Sequence, residues 1–291
     1  MFKGIIPALV TPIDENGKVL REASKKVIDF EISQGADGFY ILGATGEGLV
    51  LTEETRKEFA ELSVQQVKGR LPIIDHIADM NLPTAIRLAK HAEAIGCDAI
   101  ASIPPTYFAY TEDDIYNYYK TISDAVHIPV MIYYAPAAGV NMTAKFVKRL
   151  FEIENITSVK WSKADYYQMV LLKDMTHGEM NIINGPDEML LCGLSMGADG
   201  GIGSTYNFML PKIKAIYNAF IESNVPLACK CQREVSRIIA ALLNWPCIPG
   251  VKKLLKHMGC DVGEASYPMY RFTESEEAKL LAAIREAGLE I

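Results

Sequence analysis

The sequence predicts an α/β protein, a (β/α)8 TIM barrel with a C-terminal helical extension. Short apolar segments alternate with amphipathic helical patterns along the chain. Most of these segments are continuous rather than alternating, which is typical of parallel strands that are buried on both faces. Regular alternation of strands and helices favours a closed barrel. A doubly wound open sheet is the alternative, but no glycine-rich dinucleotide turn follows the first strand.

The predicted strands cover residues 4–10, 38–42, 72–77, 99–103, 129–134, 156–161, 181–184 and 200–203. The predicted barrel helices cover residues 22–34, 52–68, 82–95, 111–125, 143–151, 165–175, 187–196 and 207–222, and the tail helices cover 225–244, 251–258 and 273–287. Thr52 and Thr111 each precede two acidic residues, a favourable helix start. We expect residues 1–222 to form the barrel and residues 223–291 a helical appendage of the same domain.

Three predicted helices end in a Gly-x-Asp junction, at Gly35, Gly96 and Gly197. Glycine accepts the left-handed backbone conformation that stops a helix, so we expect the next strand to follow at once. The three junctions are similar because they belong to one architecture, and they do not form a sequence repeat.

The composition excludes several classes of protein. The chain has 291 residues, of which 49% are apolar and 22% charged, as in ordinary globular proteins. Its net charge of −7, with no basic run, argues against a nucleic-acid-binding surface. No apolar run is long enough to span a bilayer and no signal peptide is visible, so we expect no membrane partner.

The cysteines show neither a CxxC pair nor a Cys/His cluster with zinc spacing. They are Cys97, Cys192, Cys229, Cys231, Cys247 and Cys260. Most lie in apolar helical or strand patterns, so we interpret them as small core residues. A reducing cytoplasm is the expected compartment.

The sixth predicted strand carries a lysine, Lys160, in its interior. A buried ammonium must find a counter-ion or lose its proton, because burial lowers the pKa of a lysine. A neutral amine is a nucleophile towards carbonyl groups. If side chains alternate along this strand, Lys160 lies inside the barrel. The alternative is a lysine at a strand edge or end whose ammonium reaches solvent.

In such barrels the active site lies in the loops at the C-terminal ends of the strands. The second strand leads into residues 43–48, G-A-T-G-E-G, where glycines let amide hydrogens converge on a carboxylate or phosphate. Thr45 adds a hydroxyl, although glycine-rich turns are often only structural. Tyr107 and Tyr133 end the fourth and fifth strands. Tyr133 can relay protons to a neighbouring lysine, and the alternative for both tyrosines is a packing role.

The seventh strand ends at Asp187 and Glu188, and the eighth leads into residues 199–207, D-G-G-I-G-S-T-Y-N. The two acidic residues either cap the next helix or accept hydrogen bonds from a polyhydroxylated substrate. The last strand end often binds phosphate in barrels. Here the nearby carboxylates would repel a phosphate, which favours a neutral, hydroxyl-rich group.

Four motifs in this order extend over essentially the whole chain: G-x-T-G-E at 43–47, Y-x-x-P at 133–136, V-K at 159–160 and G-A-D-G-G-I-G-S-T-Y-N at 197–207. The chain thereby resembles the pyruvate-dependent class I aldolase and lyase family of N-acetylneuraminate lyase and dihydrodipicolinate synthase. By this resemblance Lys160 corresponds to the Schiff-base lysine and Tyr133 to the proton-relay tyrosine. Tyr107 matches a tyrosine that, in the synthase branch, completes a proton relay from the neighbouring subunit. The family is typically a homotetramer.

Within the family the details look most like the lyase branch. The substrate-binding residues implied are Ala44, Thr45, Ser162, Gly185, Asp187, Glu188, Gly203 and Ser204. Of these, Thr45 and the amides near Ala44 would hold the pyruvate carboxylate. The synthase branch has an arginine just after its Y-x-x-P turn to grip a second carboxylate. Ala137 and Ala138 stand there in this chain, so synthase activity is not expected.

The chain also departs from the family pattern. Ala44 replaces a usual serine, and a lost hydrogen bond to a charged group would weaken pyruvate binding by roughly 1.5–3 kcal/mol. Tyr134 and Ser162 replace a usual asparagine and threonine, and the turn at 136–139 is about a residue short. Lys163, with Ala164, stands where lyases commonly have small residues. Its ammonium either binds an acidic substrate or is a solvated charge at the rim of the barrel.

The resemblance implies reversible cleavage of N-acetylneuraminate to N-acetylmannosamine and pyruvate, through an imine on Lys160. The imine is the electron sink, so no metal or organic cofactor is expected. One alternative is an aldolase or dehydratase for another 2-keto-3-deoxy sugar acid. The other is a non-catalytic barrel that binds a sugar acid, which only the loss of serine at Ala44 supports.

Overall fold

The computed structural model describes residues 1–135 and 141–291, and the chain forms a ring of parallel strands surrounded by helices. The strands are β1 (Gly4–Pro7), β2 (Phe39–Ile41), β3 (Ile73–His76), β4 (Ala99–Ser102), β5 (Val130–Tyr134), β6 (Ile156–Trp161), β7 (Asn181–Asn184) and β8 (Gly200–Gly203). Strands β2 to β8 pair in sequence order and β1 pairs with β8, whereas β1 and β2 share only an isolated parallel bridge between Ala8 and Tyr40. The ring closes where the Leu9 N–H donates to the Tyr40 carbonyl oxygen at 2.9 Å. The predicted (β/α)8 barrel is confirmed.

The helices follow the predicted order. They are α1 (Arg21–Ser33), α2 (Glu53–Val67), α3 (Leu82–Ile95), α4 (Glu112–Ser123), α5 (Ala144–Leu150), α6 (Tyr166–Met175), α7 (Leu190–Ser195), α8 (Tyr206–Ile221), α9 (Val225–Leu242), α10 (Cys247–His257) and α11 (Glu274–Glu286). The structure corrects three boundaries by three or more residues: β1 ends at Pro7 rather than at residue 10, α7 begins at Leu190 rather than at residue 187, and α10 begins at Cys247 rather than at residue 251. Pro249 lies in its first turn, where a missing N–H loses no helical hydrogen bond.

The described residues form two separate apolar clusters. The cluster inside the barrel consists of Ile6, Ala8, Tyr40, Ile74, Ala99, Ala101, Met131, Tyr133, Ile183 and Ile202. The larger cluster lies between the strands and the helices, and it includes Val235 of α9, Leu254 of α10 and Leu280 of α11. The tail helices therefore share the outer core of the barrel. The division of the chain at residue 222 remains our proposal.

The cysteines are less buried than the sequence predicts. Cys97 and Cys260 are buried, but Cys192 is exposed and Cys229, Cys231 and Cys247 are half-buried. The interpretation as core residues is therefore wrong for Cys192. This residue lies on α7, a short helix whose buried residues include Leu190 and Leu194, while Cys192 lies on its exposed side.

Within residues 1–135 and 141–291, no single helix is long and apolar enough to cross a membrane. By length and composition alone, α9 and α10 pass that test together, with a bend of 106° between them.

The aspartates of the Gly-x-Asp junctions hold the N-terminal ends of the strands. The glycines have φ values of 90° at Gly35, 91° at Gly96 and 97° at Gly197, as expected for helix stops. Each aspartate then accepts the backbone N–H of the preceding strand: Asp37 from Ile5 at 2.7 Å, Asp98 from Ile73 at 2.8 Å and Asp199 from Ile182 at 3.0 Å. One sequence signal thus ends a helix and fixes a strand.

We predict that Asp98→Ala lowers the free energy of unfolding by about 1–2 kcal/mol, because the Ile73 N–H loses a charged acceptor. Asp199→Ala is expected to cost more, since the Asp199 carboxylate also accepts from Lys173 at 2.9 Å and Asn181 at 2.9 Å. Urea unfolding curves measure both losses. Asp98→Asn is the control because it keeps an acceptor. Equal stability of Asp98→Ala and the wild type would refute the strand-holding role.

Candidate active site

Lys160 lies inside the barrel, in β6, with only 5% of its surface exposed. Its Nζ lies 4.3 Å from the ring centroid of Tyr133 and 4.7 Å from that of Tyr40. Among the described residues, no carboxylate oxygen comes within the 4.0 Å of an ion pair with this Nζ. The predicted inward position is confirmed, and the alternative of a lysine that reaches solvent is wrong. The aromatic faces provide the cation's contacts.

Three aromatic rings pack together beside this lysine. Tyr133 meets Tyr40 edge to face, with centroids 5.9 Å apart, and meets the His76 ring at 5.8 Å. Burial raises the pKa of Tyr40 well above its ordinary value, so its phenol stays protonated. Tyr133 and Lys160, which were expected to cooperate, are in contact. They lie on the adjacent strands β5 and β6, and the register of these strands pairs them directly.

The glycine-rich turn after β2 wraps tightly around one residue, Leu42, whose φ is +58°. A Cβ on Gly46 or Gly48 would collide with the Leu42 backbone, so both positions require glycine. Thr45 is buried, and its Oγ1 lies 2.7 Å from the Ser204 Oγ after β8. Ala44 is exposed at the tip of the turn. Two predicted binding elements, the turn and the end of β8, therefore meet.

A buried ion pair ties this turn to the C-terminal helices. The Glu47 Oε1 lies 2.6 Å from the Lys252 Nζ of α10, and both side chains are almost fully buried. The Lys252 Nζ also donates to the carbonyl oxygens of Thr11 at 2.9 Å and Glu264 at 3.0 Å. The Ser266 N–H donates to the Glu47 Oε2 at 2.5 Å. The sequence did not predict this pair, although a glutamate in a buried turn requires a cation.

The Asp187 carboxylate holds the end of β8. Its Oδ2 accepts hydrogen bonds from the Thr205 N–H at 2.8 Å and the Thr205 Oγ1 at 2.7 Å. Burial raises the pKa of Asp187 to about 6, against the hydrogen bonds from Thr205 and the charge of Lys160. Gly203 must be glycine, because a Cβ there would collide with the Asp187 Oδ1. Glu188 is exposed. Asp187 lies in the first turn after β7, but its carboxylate accepts hydrogen bonds from Thr205 at the start of α8 instead of capping its own helix.

Ser162 and Gly185 lie against each other after β6 and β7. The Ser162 N–H donates to the Tyr134 carbonyl at 2.9 Å, and the Gly185 N–H donates to the Trp161 carbonyl at 2.8 Å. A Cβ on Gly185 would collide with the Ser162 Oγ, so glycine leaves room for this hydroxyl.

Lys163 lies on the outer side of the barrel rim. Its Nζ donates to the Asn141 Oδ1 at 3.2 Å and lies 5.4 Å from the Tyr134 ring centroid. Tyr134 packs on Trp161 in the outer core, with centroids 5.0 Å apart. This geometry favours a rim charge over a cation that meets a substrate.

Tyr107 lies apart from the buried cluster. Its φ is +80°, 85% of its surface is exposed, and its ring packs on Phe108 with centroids 5.0 Å apart. Its role in a proton relay therefore stays a prediction. The predicted turn at 136–139, with Ala137 and Ala138, lies outside the described residues.

Tyr40 and His76 lie with Lys160 and Tyr133 inside the barrel, although no sequence motif pointed to them. Their positions in the predicted strands could have identified them. Side chains two residues apart lie on the same face of a strand, so His76 points into the barrel like Ile74. No group of three or more His, Cys, Asp or Glu residues within the described ranges could hold a metal ion.

We predict that Lys252→Met costs about 3–5 kcal/mol of unfolding free energy, because it leaves the Glu47 carboxylate buried without its cation. The double variant Glu47→Gln/Lys252→Met is expected to recover part of this loss, since no charge remains buried. Urea unfolding of wild type, single and double variants measures the difference. A double variant less stable than the single one would contradict the ion-pair account.

Known proteins share both the sequence and the fold. Residues 1–287 match the Dihydrodipicolinate synthetase family. The N-acetylneuraminate lyase of Rhizobium meliloti is 32% identical over 286 residues, covering 98% of this chain and 94% of that protein. CdNal from Clostridium difficile, solved in complex with mannosamine, superposes with a TM-score of 0.95 at 29% identity, covering 99% of both chains.

The sialic acid aldolase of Ruminococcus gnavus, solved as a catalytic lysine mutant, superposes with a TM-score of 0.94 at 29% identity. It covers 98% of this chain and 95% of that one. The match of a family pattern to nearly the full sequence, together with these relatives, settles the assignment. The chain belongs to the dihydrodipicolinate synthetase family.

Proposed function

We propose that this protein is a class I aldolase that reversibly cleaves N-acetylneuraminate to N-acetylmannosamine and pyruvate. The observation that carries the proposal is Lys160, a lysine buried inside the barrel and lying between Tyr40 and Tyr133. A lysine is catalytic in the sialic acid aldolase of Ruminococcus gnavus, and relatives named N-acetylneuraminate lyase match along nearly the whole chain.

In the proposed reaction, the unprotonated Lys160 amine attacks C2 of the open-chain sugar acid, and loss of water gives a protonated imine. Tyr133, together with the substrate carboxylate, takes the proton of the C4 hydroxyl as the C3–C4 bond breaks. The electron pair of that bond flows into the imine, which becomes the enamine of pyruvate, and the aldehyde leaves. Protonation at C3 and hydrolysis release pyruvate and restore the amine.

The turn after β2 is suited to the carboxylate of pyruvate. Its glycines bring backbone amides close together, and the Thr45 hydroxyl is already oriented by its 2.7 Å contact with Ser204. These donors are neutral, so the ammonium or iminium of Lys160 supplies the positive charge for the carboxylate.

The sugar chain is assigned to the ends of β6, β7 and β8. Ser162 and Ser204 offer hydroxyls, Asp187 and Glu188 offer carboxylates, and the glycines Gly185 and Gly203 leave space beside them. Alternating donors and acceptors suit a polyhydroxylated chain, and carboxylates disfavour a phosphate. The mannosamine in the Clostridium difficile structure supports an amino sugar as the aldehyde part.

We also propose a homotetramer in a reducing cytoplasm. Large apolar side chains are exposed on the loops after β2, β3 and β4: Leu49, Val50, Met80, Tyr107 and Phe108. Such a patch supports association with a second copy, and that contact would bring Tyr107 to a neighbouring active site. All six cysteines are free thiols, which supports a reducing compartment.

A second candidate is an aldolase or dehydratase for another 2-keto-3-deoxy sugar acid. Ala44 favours it, because the turn lacks the hydroxyl that the family usually places on the carboxylate. Both candidates use the same imine, so only substrates separate them.

The experiment that tests the proposal is a pyruvate-release assay on N-acetylneuraminate, with other 2-keto-3-deoxy sugar acids measured in parallel. We expect wild-type enzyme to release pyruvate and N-acetylmannosamine from N-acetylneuraminate in equal amounts. Lys160→Ala is expected to lose at least about 10⁴-fold in kcat, since no other residue forms the imine. Lys145→Ala, an exposed lysine on α5, is the matched control and should keep wild-type activity.

Release of pyruvate from another sugar acid alone would move the assignment to the second candidate. Full activity of Lys160→Ala would contradict imine catalysis at this residue.

Restoring the family's serine should strengthen pyruvate binding. We predict that Ala44→Ser lowers the KM for pyruvate in the condensation direction by about 10-fold, the lower end of a hydrogen bond to a charged group. The comparison of KM and kcat checks it, and kcat is expected to change little. A raised KM would show that Ala44 makes room for a bulkier group than the family's usual substrate.

A further inference from the structure

We propose that His76 is a positioning residue of this site, which fixes the carboxylate-holding turn through the carbonyl of Leu42. The inference rests on the proposed function, since it concerns how the same site holds a keto acid. His76 is buried in β3, and its Nδ1 lies 3.1 Å from the Leu42 carbonyl oxygen.

Leu42 is the residue on which the turn depends. Its φ of +58° is left-handed, a conformation that costs a non-glycine residue free energy and persists only when the surroundings impose it. The glycines Gly46 and Gly48 pack directly against its backbone. A displaced Leu42 carbonyl would therefore move the amides of the whole turn, including those beside Thr45.

The hydrogen bond to Leu42 also fixes the tautomer of His76. A carbonyl only accepts, so the proton lies on Nδ1 and the Nε2 is left as an acceptor. This Nε2 is buried and has no hydrogen-bond partner among the described residues. Burial, with the charge of Arg56, lowers the pKa of His76 to about 3, so the ring stays neutral in any assay near neutral pH.

A side chain from α2 fixes the backbone of His76. The Arg56 guanidinium of α2 donates to the His76 carbonyl at 2.8 Å and to the Ala78 carbonyl at 3.0 Å, which fixes the end of β3. In front, the imidazole meets Tyr133 at 5.8 Å and Tyr40 at 6.0 Å between centroids. One rigid ring thus contacts both the carboxylate turn and the two tyrosines around Lys160.

Two other roles compete with positioning through Nδ1: action on the reacting groups through Nε2, and simple packing. Each role requires a polar atom at a different position of the ring, or at none. If His76 acts through Nε2 on the reacting groups, a polar atom must stand at the Nε2 position. If it only fills space, the polar atoms do not matter. Asparagine places its amide nitrogen near the position of Nδ1, whereas glutamine reaches towards the position of Nε2. The pair His76→Asn and His76→Gln therefore separates the three roles.

The experiment compares wild type, His76→Asn, His76→Gln and His76→Leu in the condensation of pyruvate with N-acetylmannosamine, with pH profiles of kcat and kcat/KM. We expect His76→Asn to keep the KM for pyruvate within about 2-fold. His76→Gln and His76→Leu should raise it by about 3- to 10-fold, the effect of one neutral hydrogen bond, with kcat changed far less. The pH profile of His76→Asn should match that of wild type.

His91→Asn on α3, where the native ring contacts Glu61 at 2.8 Å, is the control for a histidine outside the site. Thermal melting of each variant separates misfolding from a positioning effect. Rescue by His76→Gln instead of His76→Asn would overturn the proposal in favour of action through Nε2. Equal KM values for all variants would overturn it in favour of packing. Wild-type protein without any condensation or cleavage activity would overturn the proposed function and, with it, this inference.

Discussion

The burial of one lysine side chain, Lys160, inside the barrel is the constraint on which the rest of the site depends. Removing an ammonium from water costs several kcal/mol, and a desolvated cation–π contact returns only about 2 kcal/mol. Tyr40 and Tyr133 therefore do not make Lys160 a stabilising residue. A lysine that the fold keeps at a net cost in stability is best explained by chemistry at its amine. In the proposed reaction, the carboxylate of the substrate supplies the missing counter-charge.

The mouth of the barrel is assembled from distant parts of the chain, which explains why the tail helices matter to the site. The turn after β2 contacts the end of β8 through Thr45 and Ser204, and it reaches α10 through Glu47 and Lys252. Lys252 in turn binds the loop after β1 at Thr11. The C-terminal helices are thus part of the scaffold that holds the turn after β2, in addition to covering the outer core.

Much of the fold was predictable because the signals are local. Apolar runs fixed β6, β7 and β8 to the residue, and each Gly-x-Asp junction marked both a helix end and a strand start. The start of α10 was not found, because Pro249 followed by glycine resembles a turn in sequence, and only the position within the helix makes it acceptable. Boundaries of this kind depend on backbone hydrogen bonds that no local pattern shows.

The site was predictable only in part, for a similar reason. Lys160 is visible because a charge inside an apolar strand is anomalous, whereas Tyr40 and His76 look like ordinary core residues until the barrel brings β2 and β3 opposite β6. The pairing of Glu47 with Lys252 joins residues far apart in sequence, so neither one identifies the other. Tyr107 was predicted from its place at a strand end and from the family resemblance, but it is exposed and lies apart from the buried cluster.

The most direct test of the central claim is to locate the imine. Wild-type protein would be incubated with pyruvate, reduced with borohydride and digested, and the peptides analysed by mass spectrometry. The account predicts a reduced pyruvate adduct on the peptide that contains Lys160 and on no other lysine, and its disappearance in Lys160→Ala. An adduct confined to other lysines, or no adduct at saturating pyruvate, would contradict the claim that the buried Lys160 amine forms the imine.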